Sequence, residues 1–406
     1  MNSISKNKMN IALLTTEYAH EKTPKAGGIG TFNSVLAKGL QERGHNVYVI
    51  VFYGKKNFSI DDDGISVVVR KSFFRKHKVS ELIRSVSKTR EKLFKFYQKV
   101  YFDEREYISK EFNKIISDKK IDIIETQDCG GISYSLNDDI PVVVRCHGTN
   151  EVLSKEFNYI RPELYNKVLK ELEGKTISKE KNNIVAVSKY AGDLIFKYFN
   201  RKGAKVIYNG VDVNKFKPSV KDKTIPKSIF YFGTLSEKKG LKFLCEVFNE
   251  LNERDDETTL HIIGKGEKYF SYLEKNVLTK KALKNVVYYG VMNHDDLNKE
   301  LVKAKTIVFP TQGENFPFVF LEAMSLEKVI ISNAIEPAYE IIDQGKNGFI
   351  AKGKDEFIST IEKVISPDFD GKLIESNARK TVEAKFTNLI MVDDSVKLYK
   401  EILSKK

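Results

Sequence analysis

The chain has 406 residues and a formal net charge of +13, and 41% of its residues are hydrophobic. This length is too great for one ordinary core and predicts two globular domains of about 200 residues each. The three cysteines have neither paired nor metal-ligand spacing. They argue against a disulfide framework and predict a reducing compartment.

No targeting or membrane-spanning segment is predicted. The first residues contain a lysine pair and a short apolar run that Glu17 soon interrupts, unlike a signal peptide. The sequence has no run of about 18 apolar residues, the length that a membrane-spanning helix needs. We therefore expect a cytoplasmic protein, with peripheral association on the inner face of the plasma membrane left open.

The basic residues are concentrated in the first half of the chain. Residues 1–210 hold 37 of the 68 Lys and Arg side chains but only 25 of the 55 Asp and Glu side chains. Within residues 70–99, eleven side chains are basic and two are acidic. This segment predicts either an acidic partner (anionic lipid, a phosphate-linked polymer or nucleic acid) or an ordinary solvated lysine-rich helix.

Short β-rich apolar runs alternate with longer amphipathic stretches along the chain. Runs of Val and Ile indicate buried parallel strands, and the stretches between them indicate helices. The pattern predicts an α/β fold of two Rossmann-like, doubly wound domains, 1–210 and 211–385, facing across a ligand cleft. Residues 386–406 are predicted to form a closing helix that packs back on the first domain. The predicted strands are NIALLTT, NVYVIVF, ISVVVR, IDIIETQ, PVVVRCH and NIVAVS, then SIFYFG, TLHIIG, NVVYYG, TIVFP, VIIS and GFIA.

A glycine-rich loop, TTEYAHEKTPKAGGIGTF, follows the first predicted strand. Gly27, Gly28 and Gly30 precede a helix predicted to begin near Thr31, and would let the backbone approach an anion at the helix start. The spacing is a poor match to the dinucleotide fingerprint G-x-G-x-x-G. An ordinary turn eased by glycine is an equal alternative.

A second strand-to-helix turn, YFGTLSEKKGL, places Lys238 and Lys239 between two glycines. A lysine in such a turn is predicted to face the cleft, where it can neutralise a diphosphate. The motif is not a Walker loop. A plain surface lysine is the alternative.

Two glutamates bracket the apolar run in GENFPFVFLEAM, residues 313–324. Pro317 is predicted at the first position of a helix that runs to about Glu327. Glu314 then lies in the loop before the positive end of that helix, and Glu322 lies within it. An ionised carboxylate in so apolar a run is costly unless it is paired, and sugar hydroxyls are suitable partners. An ordinary surface glutamate fits the run poorly.

One histidine is a candidate site residue, and no metal site is predicted. His147 ends the predicted strand PVVVRCH, where it would face the cleft, although a structural histidine is an equal alternative. The aspartates at 61–63 lie in a turn-like context between predicted strands. No His, Cys and Asp set has zinc-ligand spacing.

Taken in order, these motifs resemble the retaining glycosyltransferases of family four, which have the GT-B fold. GGIGTFNSVLAKGLQERGHNVYVI is similar to the family's glycine loop, helix and second strand, and VIYNGVDVNKFKP to its linker. FGTLSEKKGL resembles the lysine element, LHIIGKGE a following strand, ENFPFVFLEAM the E-x7-E signature and EIIDQGKNGFI the closing element. The resemblance covers nearly the whole chain.

The resemblance implies a catalytic set of Glu314, Lys239 and His147. Lys239 would bind the donor diphosphate, Glu314 would lie beside the donor sugar and the reacting centre, and His147 would contact the donor sugar or the acceptor. Glu322 would accept hydrogen bonds from the ribose hydroxyls. The further donor-binding residues that it implies are Gly28, Thr234, Lys238, Asn315, Phe316 and Val319, several of them through backbone amides.

The sequence departs from the family pattern at three places. Thr234 stands where an arginine is common, so Lys238 or a basic group of the other domain would supply the missing charge. Asn315 replaces a glycine, and Glu336 and Pro337 occupy positions where glycines are common. The last change bears on which sugar the donor carries.

The resemblance implies a retaining hexosyltransferase that uses a nucleoside-diphosphate sugar, with UDP favoured over GDP. Its acceptor would be a glycan, lipid-linked or polymer acceptor in cell-surface polysaccharide or glycolipid synthesis. No metal or other cofactor is expected, because lysine and a helix dipole would take the place of the metal. The charge asymmetry, rather than the resemblance, motivates the hypothesis that residues 70–99 dock on an anionic membrane through Phe73, Phe74, Phe94, Phe96 and Tyr97.

Three other functions stay open at this stage. A non-catalytic glycosyltransferase-like subunit is one, given Thr234 and Asn315, and a GT-B phosphorylase or nucleotide-sugar epimerase is another. A nucleic-acid-binding protein is suggested by charge alone. Nucleic acid is not the expected partner, because the basic excess lies in one segment rather than along a groove of the fold.

Overall fold

The structure is a computed structural model that describes residues 8–23, 26–54, 56–71, 90–157, 162–218 and 223–405. The chain divides into two compact units. Unit 1 comprises Met1–Tyr208 and Met391–Lys406, and unit 2 comprises Asn209–Ile390. The sequence-based bounds were 210 and 385.

Unit 1 is built on an eight-stranded sheet among its described residues, in the order β3-β4-β2-β1-β5-β6-β7-β8. Neighbouring strands are parallel except β3 and β4, which form an antiparallel hairpin at one edge. The strands are β1 (Asn10–Thr15), β2 (Asn46–Gly54), β3 (Phe58–Asp62), β4 (Ile65–Lys71), β5 (Ile123–Gln127), β6 (Val142–Cys146), β7 (Asn182–Ala186) and β8 (Lys205–Val206).

The predicted strands of the first half are confirmed, because their Val and Ile runs fill the centre of the sheet. Every residue of β5 and β6 is buried, as expected for strands covered on both faces. The sequence prediction missed β3 and β8. Asp61 and Asp62 belong to β3 rather than to a turn, and Asp62 accepts a hydrogen bond from the Tyr18 hydroxyl at 2.7 Å.

Helices cover the sheet of unit 1. The first helix begins at Gly28, three residues before the predicted start, so the glycines form its first turn. The helices are α1 (Gly28–Glu42), α2 (Arg90–Ile116), α3 (Asn150–Glu156), α4 (Glu163–Ser178) and α5 (Lys189–Phe199).

A buried charge network holds the C-terminal helix in unit 1. Arg145 of β6 donates from Nε to the Glu125 carboxylate at 2.6 Å and from Nη2 to Ser395 Oγ at 2.8 Å. The Tyr399 hydroxyl also donates to Glu125. Because all four side chains are buried, Ser395 and Tyr399 of the C-terminal helix are part of the core of unit 1.

Unit 2 contains a six-stranded parallel sheet in the order β11-β10-β9-β12-β13-β14. Counted within the unit, this is the order 3-2-1-4-5-6, so the direction of winding reverses between β9 and β12. All six strands were predicted. They are β9 (Ser228–Phe232), β10 (Thr259–Ile263), β11 (Val286–Gly290), β12 (Thr306–Phe309), β13 (Ile330–Asn333) and β14 (Phe349–Ala351).

The helices of unit 2 follow the strands in βαβ order. Pro317 is the N-cap of its helix, so its predicted place at the first helical position is wrong by one residue. The helices are α6 (Leu241–Arg254), α7 (Glu267–Asn276), α8 (His294–Leu301), α9 (Phe318–Ser325), α10 (Glu336–Ile341), α11 (Gly353–Ile365) and α12 (Lys372–Lys385), with α13 (Asn388–Leu403) continuing into unit 1.

Two features of the described residues bear on membrane and metal binding. None of the described helices is both long and apolar enough to cross a membrane. No group of three or more His, Cys, Asp or Glu side chains that could hold a metal ion occurs in the described part of the chain. Most of the basic segment 70–99 lies outside the described residues, including Phe73 and Phe74.

Candidate functional site

The candidate site of unit 2 lies at the carboxyl ends of β9 and β12. In an open α/β sheet, ligands bind at the point where the winding reverses, because the loops that follow the two strands diverge there. The loop after β9 runs from Gly233 to Gly240, and the loop after β12 runs from Pro310 to Pro317. Both sequence motifs that carry charged candidates are therefore at this switch point.

The two loops approach each other so closely that one residue must be glycine. Gly240 has a positive φ of 76°, and a Cβ atom built there would lie 1.8 Å from the Pro310 carbonyl oxygen. The Gln312 amide donates to the Lys238 carbonyl at 3.0 Å, and Asn333 Nδ2 at the end of β13 donates to the Pro310 carbonyl at 2.8 Å. These contacts consequently fix the positions of the two loop backbones relative to each other.

Lys239 and Glu314 meet across this junction. The Lys239 ammonium forms an ion pair with Glu314 Oε1, which also accepts a hydrogen bond from Thr311 Oγ1 at 3.1 Å. Their side chains are 32% and 14% exposed, so solvent and a ligand can still reach the pair. An anion at this position would compete with Glu314 for the lysine.

Glu322 is held away from that pair, on the second turn of α9. It is half-buried between the buried residues Leu321 and Ala323. Burial of the carboxyl raises the pKa of Glu322 to about 7, and the charge of Lys215 opposes this rise. A carboxyl with this pKa changes its charge near neutral pH, which suits a group whose hydrogen-bond donors would come from a ligand.

The other candidates of unit 2 lie on the same two loops and at the start of α9. Lys238 is half-buried, and burial lowers the pKa of its ammonium, against the effect of Glu314. Thr234 is exposed, and its carbonyl oxygen accepts the Tyr231 hydroxyl at 2.9 Å. The segment before α9 carries Asn315, half-buried, and Phe316, buried against Phe386 with 5.6 Å between ring centroids.

Val319 lies in the first turn of α9, and no side chain caps the start of this helix. Backbone N–H groups at such a start carry a partial positive charge and can bind an anion or a hydroxyl oxygen. The structure thus brings the unit 2 candidates together around the switch point.

The two candidates of unit 1 lie at the carboxyl ends of its own strands. Gly28 is exposed at the first position of α1, and the preceding Gly27 amide donates to the Glu17 carboxylate at 2.7 Å. One amide beside this helix start is therefore already bound by a carboxylate of the chain, and an anionic ligand at Gly28 would lie next to Glu17.

His147 follows β6 and packs edge-on against Phe32, with 4.6 Å between ring centroids. Burial and, to a smaller extent, the charge of Arg145 lower the pKa of His147 to about 3. The imidazole is thus neutral at physiological pH. It can exchange hydrogen bonds with a hydroxyl group but cannot supply a positive charge.

Sequence reasoning missed two buried carboxylates beneath this loop. Asp128 accepts the backbone amides of His147 and Gly148, both at 3.1 Å. Glu173 of α4 accepts the amides of Gly130 and Asn150 at 2.8 and 2.7 Å. Burial raises the pKa of Asp128 to about 6 and that of Glu173 to about 8. Nothing local in the sequence distinguishes these residues from surface acids.

The chain matches two families of known proteins, one in each half. The model of the group 1 glycosyl transferases matches residues 212–381, and that of glycosyltransferase family 4 matches residues 26–215.

Three individual proteins illustrate the similarity. An uncharacterised glycosyltransferase of Methanocaldococcus jannaschii is 25% identical over 97% of this chain and 98% of its own. The capsular polysaccharide biosynthesis glycosyltransferase CapM of Staphylococcus aureus is 28% identical over 43% of this chain and 46% of its own. The structure of Anabaena HepE with UDP and glucose superposes with a TM-score of 0.69 at 17% identity, over 97% of this chain and all of that one.

Proposed function

This chain belongs to the GT-B glycosyltransferases, with one glycosyltransferase family matched in each half, and from that premise we propose its reaction. It transfers a hexosyl group from a nucleoside-diphosphate sugar, with UDP favoured over GDP, and retains the anomeric configuration. The observation that carries the proposal is the meeting of Lys239 and Glu314 at the switch point of unit 2. The complex of HepE with UDP and glucose supports UDP as the donor nucleotide.

The proposed chemistry uses the charges at this point. Cleavage of the bond between the anomeric carbon and the diphosphate leaves negative charge on the leaving phosphate. Lys239 and the backbone amides at the start of α9 would stabilise that charge, because they are already oriented before the reaction begins. In the same-face attack that we propose, the leaving phosphate itself accepts the proton of the acceptor hydroxyl.

The two glutamates have different roles in this proposal. The donor diphosphate replaces Glu314 as the ion-pair partner of Lys239. The Glu314 carboxylate can then accept hydrogen bonds from hydroxyls of the donor sugar. Glu322 accepts hydrogen bonds from the ribose. The implied donor-binding residues Asn315, Phe316 and Val319 lie between the two glutamates in the chain.

We place the acceptor among the glycans and lipid-linked glycans of cell-surface polysaccharide or glycolipid synthesis. The name of CapM supports this class. Peripheral binding to an anionic membrane through residues 70–99 is part of the proposal, supported by Phe96, which is 59% exposed on α2. Co-sedimentation with anionic but not neutral vesicles is the expected result, and equal binding to both would refute this part.

The central experiment measures release of nucleoside diphosphate from a panel of UDP-, GDP- and ADP-sugars, with and without a membrane and glycan extract as acceptor. EDTA is present throughout, because the proposed mechanism uses no divalent metal. We expect release that depends on the acceptor, and a loss of about 100- to 1000-fold in Lys239→Ala.

Lys242→Ala is the matched control, since Lys242 is exposed one turn further along, on α6. We expect this variant to keep wild-type turnover. Near-normal turnover of Lys239→Ala would contradict the role of the lysine. Release without an acceptor, or conversion of the donor with no transfer, would favour hydrolysis or epimerisation over the proposed transfer.

A further inference from the structure

One arginine joins α9 of unit 2 to the segment that leads into the unit. Arg379 of α12 donates from Nη1 to two carbonyl oxygens, that of Ser325 at 2.6 Å and that of Phe216 at 3.2 Å. Its Nη2 donates to the Val213 carbonyl at 3.3 Å. The C-terminal end of α9 and residues 213–216 therefore lie within reach of a single guanidinium group.

This junction brings the segment that carries Lys215 against the helix that carries Glu322. Lys215 precedes Phe216, whose carbonyl Arg379 holds, and Glu322 lies one helical turn before Ser325. The Lys215 carbonyl accepts Asn298 Nδ2 of α8 at 2.8 Å. The backbone is thus fixed at Lys215 itself and on both sides of it, while the side chain stays exposed.

The neighbouring charges are few. From the segment 213–216, Lys215 lowers the pKa of Glu322 against the larger effect of burial. From α8, His294 faces Lys215, and burial followed by the lysine charge lowers the pKa of this imidazole. From α12, Arg379 lies at the end of α9, where its charge complements the helix dipole, and its Nε also pairs with Glu383 of α12 at 2.7 Å. Among the described residues, Lys215 is the cation whose charge lowers the pKa of Glu322.

We propose that Lys215 is a positioning residue of the nucleotide site, which keeps Glu322 ionised so that its carboxylate accepts hydrogen bonds from the ribose of a nucleoside diphosphate. This inference rests on the proposed function. Arg379 supports it by holding the backbone around Lys215 against α9. Lys215 acts through Glu322 and takes no part in the sugar transfer itself.

The proposal predicts a particular dependence on pH. Ribose hydroxyls donate to the ionised carboxylate, so nucleotide affinity falls as the pH drops through the pKa of Glu322. Removing the Lys215 ammonium removes the charge that opposes burial, and the pKa of Glu322 rises further. The loss of affinity then begins at a higher pH.

The test compares Lys215→Ala with Lys217→Ala, which removes an exposed lysine two positions along the chain. Binding of UDP alone and of GDP alone is measured by calorimetry from pH 5.5 to 9. We expect Lys215→Ala to weaken binding about three- to tenfold at pH 7, and progressively less towards pH 9. The nucleotide phosphate titrates in the same way with every variant, so Lys217→Ala should show the pH profile of the wild type. Lys215→Arg should restore the profile.

A double-mutant cycle separates the proposed role from a general effect on the unit. In a Glu322→Gln background, which has no carboxylate to ionise, Lys215→Ala should change UDP affinity less than twofold. An equal effect in both backgrounds, or a weakening that is uniform across pH, would overturn the inference, because Lys215 would then contact the nucleotide directly. A wild-type protein that binds neither UDP nor GDP would instead overturn the proposed function.

Discussion

The carboxylates described above differ between the two units in their exposure and in their binding partners. In unit 1 the main carboxylates are buried and already fully used: Glu125 by Arg145 and Tyr399, Asp128 and Glu173 by backbone amides. In unit 2 the corresponding groups stand at the strand ends and keep part of their exposure, as Lys239 and Glu314 do.

The difference separates charges that maintain the fold from charges that a ligand can reach. A buried ion pair costs desolvation of both ions, so it is stable only while both partners are present. A half-exposed pair is held less tightly, and an incoming anion can take the place of one member. Exposure as well as charge therefore identifies the candidate site.

The largest expected effect comes from breaking the buried pair of unit 1. Arg145→Leu leaves the Glu125 carboxylate without its cation in a place where the two side chains are only 1% and 3% exposed. We expect the free energy of unfolding of unit 1 to fall by about 3–5 kcal/mol. Urea unfolding followed by tyrosine fluorescence measures it, since the chain has no tryptophan.

Arg254→Leu is the control for this prediction. Arg254 pairs with Glu362 at 2.9 Å, but these side chains are 56% and 40% exposed. A change below about 1 kcal/mol is expected, because solvent screens such pairs. If the two variants lost the same stability, the contrast between buried and exposed charges would be wrong.

A smaller effect, with a characteristic pH dependence, is expected at Glu322. Burial raises the pKa of this carboxyl from its ordinary value of 4.5 to about 7. The folded chain therefore keeps a proton that the unfolded chain releases between these values. By linkage, the contribution of Glu322 to the free energy of unfolding falls as the pH rises through this window.

Glu322→Gln removes this dependence. We expect the variant to be more stable than the wild type by about 1 kcal/mol at pH 8, and equal to it at pH 4. Thermal unfolding at the two pH values measures the difference. Asp128 and Glu173 titrate in the same direction but are unchanged in the variant, so they cancel. A variant that is less stable at pH 8 would show that the carboxylate is paired within the fold.

The sequence predicted those parts of the fold that depend on local patterns. The predicted Val and Ile runs became parallel strands, most of them central, because burial on both faces demands apolar residues along the strand. The strand β3 was missed because its FSIDD sequence ends in two acids, of which Asp62 is satisfied by Tyr18, 44 residues away in the chain. A partner so distant leaves no local signal.

The candidate site shows the same limit. The E-x7-E pattern and the lysine turn led to Glu314, Glu322 and Lys239, but their roles remain predictions. Neither the pairing of Lys239 with Glu314 nor the approach of Lys215 to Glu322 could be predicted, because each depends on how loops distant in sequence pack. The start of α9 was predicted one residue too early, at Pro317. The extended ψ of 109° makes Pro317 the cap of the helix rather than its first residue.

The C-terminal segment of unit 1 has a consequence for how the protein is made. A ribosome releases the chain from its N-terminus, and a domain can fold once its residues have emerged. Tyr399 and Ser395 belong to the core of unit 1, yet all of unit 2 lies between them and Tyr208 in the chain. During translation, Arg145 and Glu125 therefore lack Ser395 and Tyr399 as hydrogen-bond partners until unit 2 has been synthesised. Unit 1, although first to be made, is the last to complete its core.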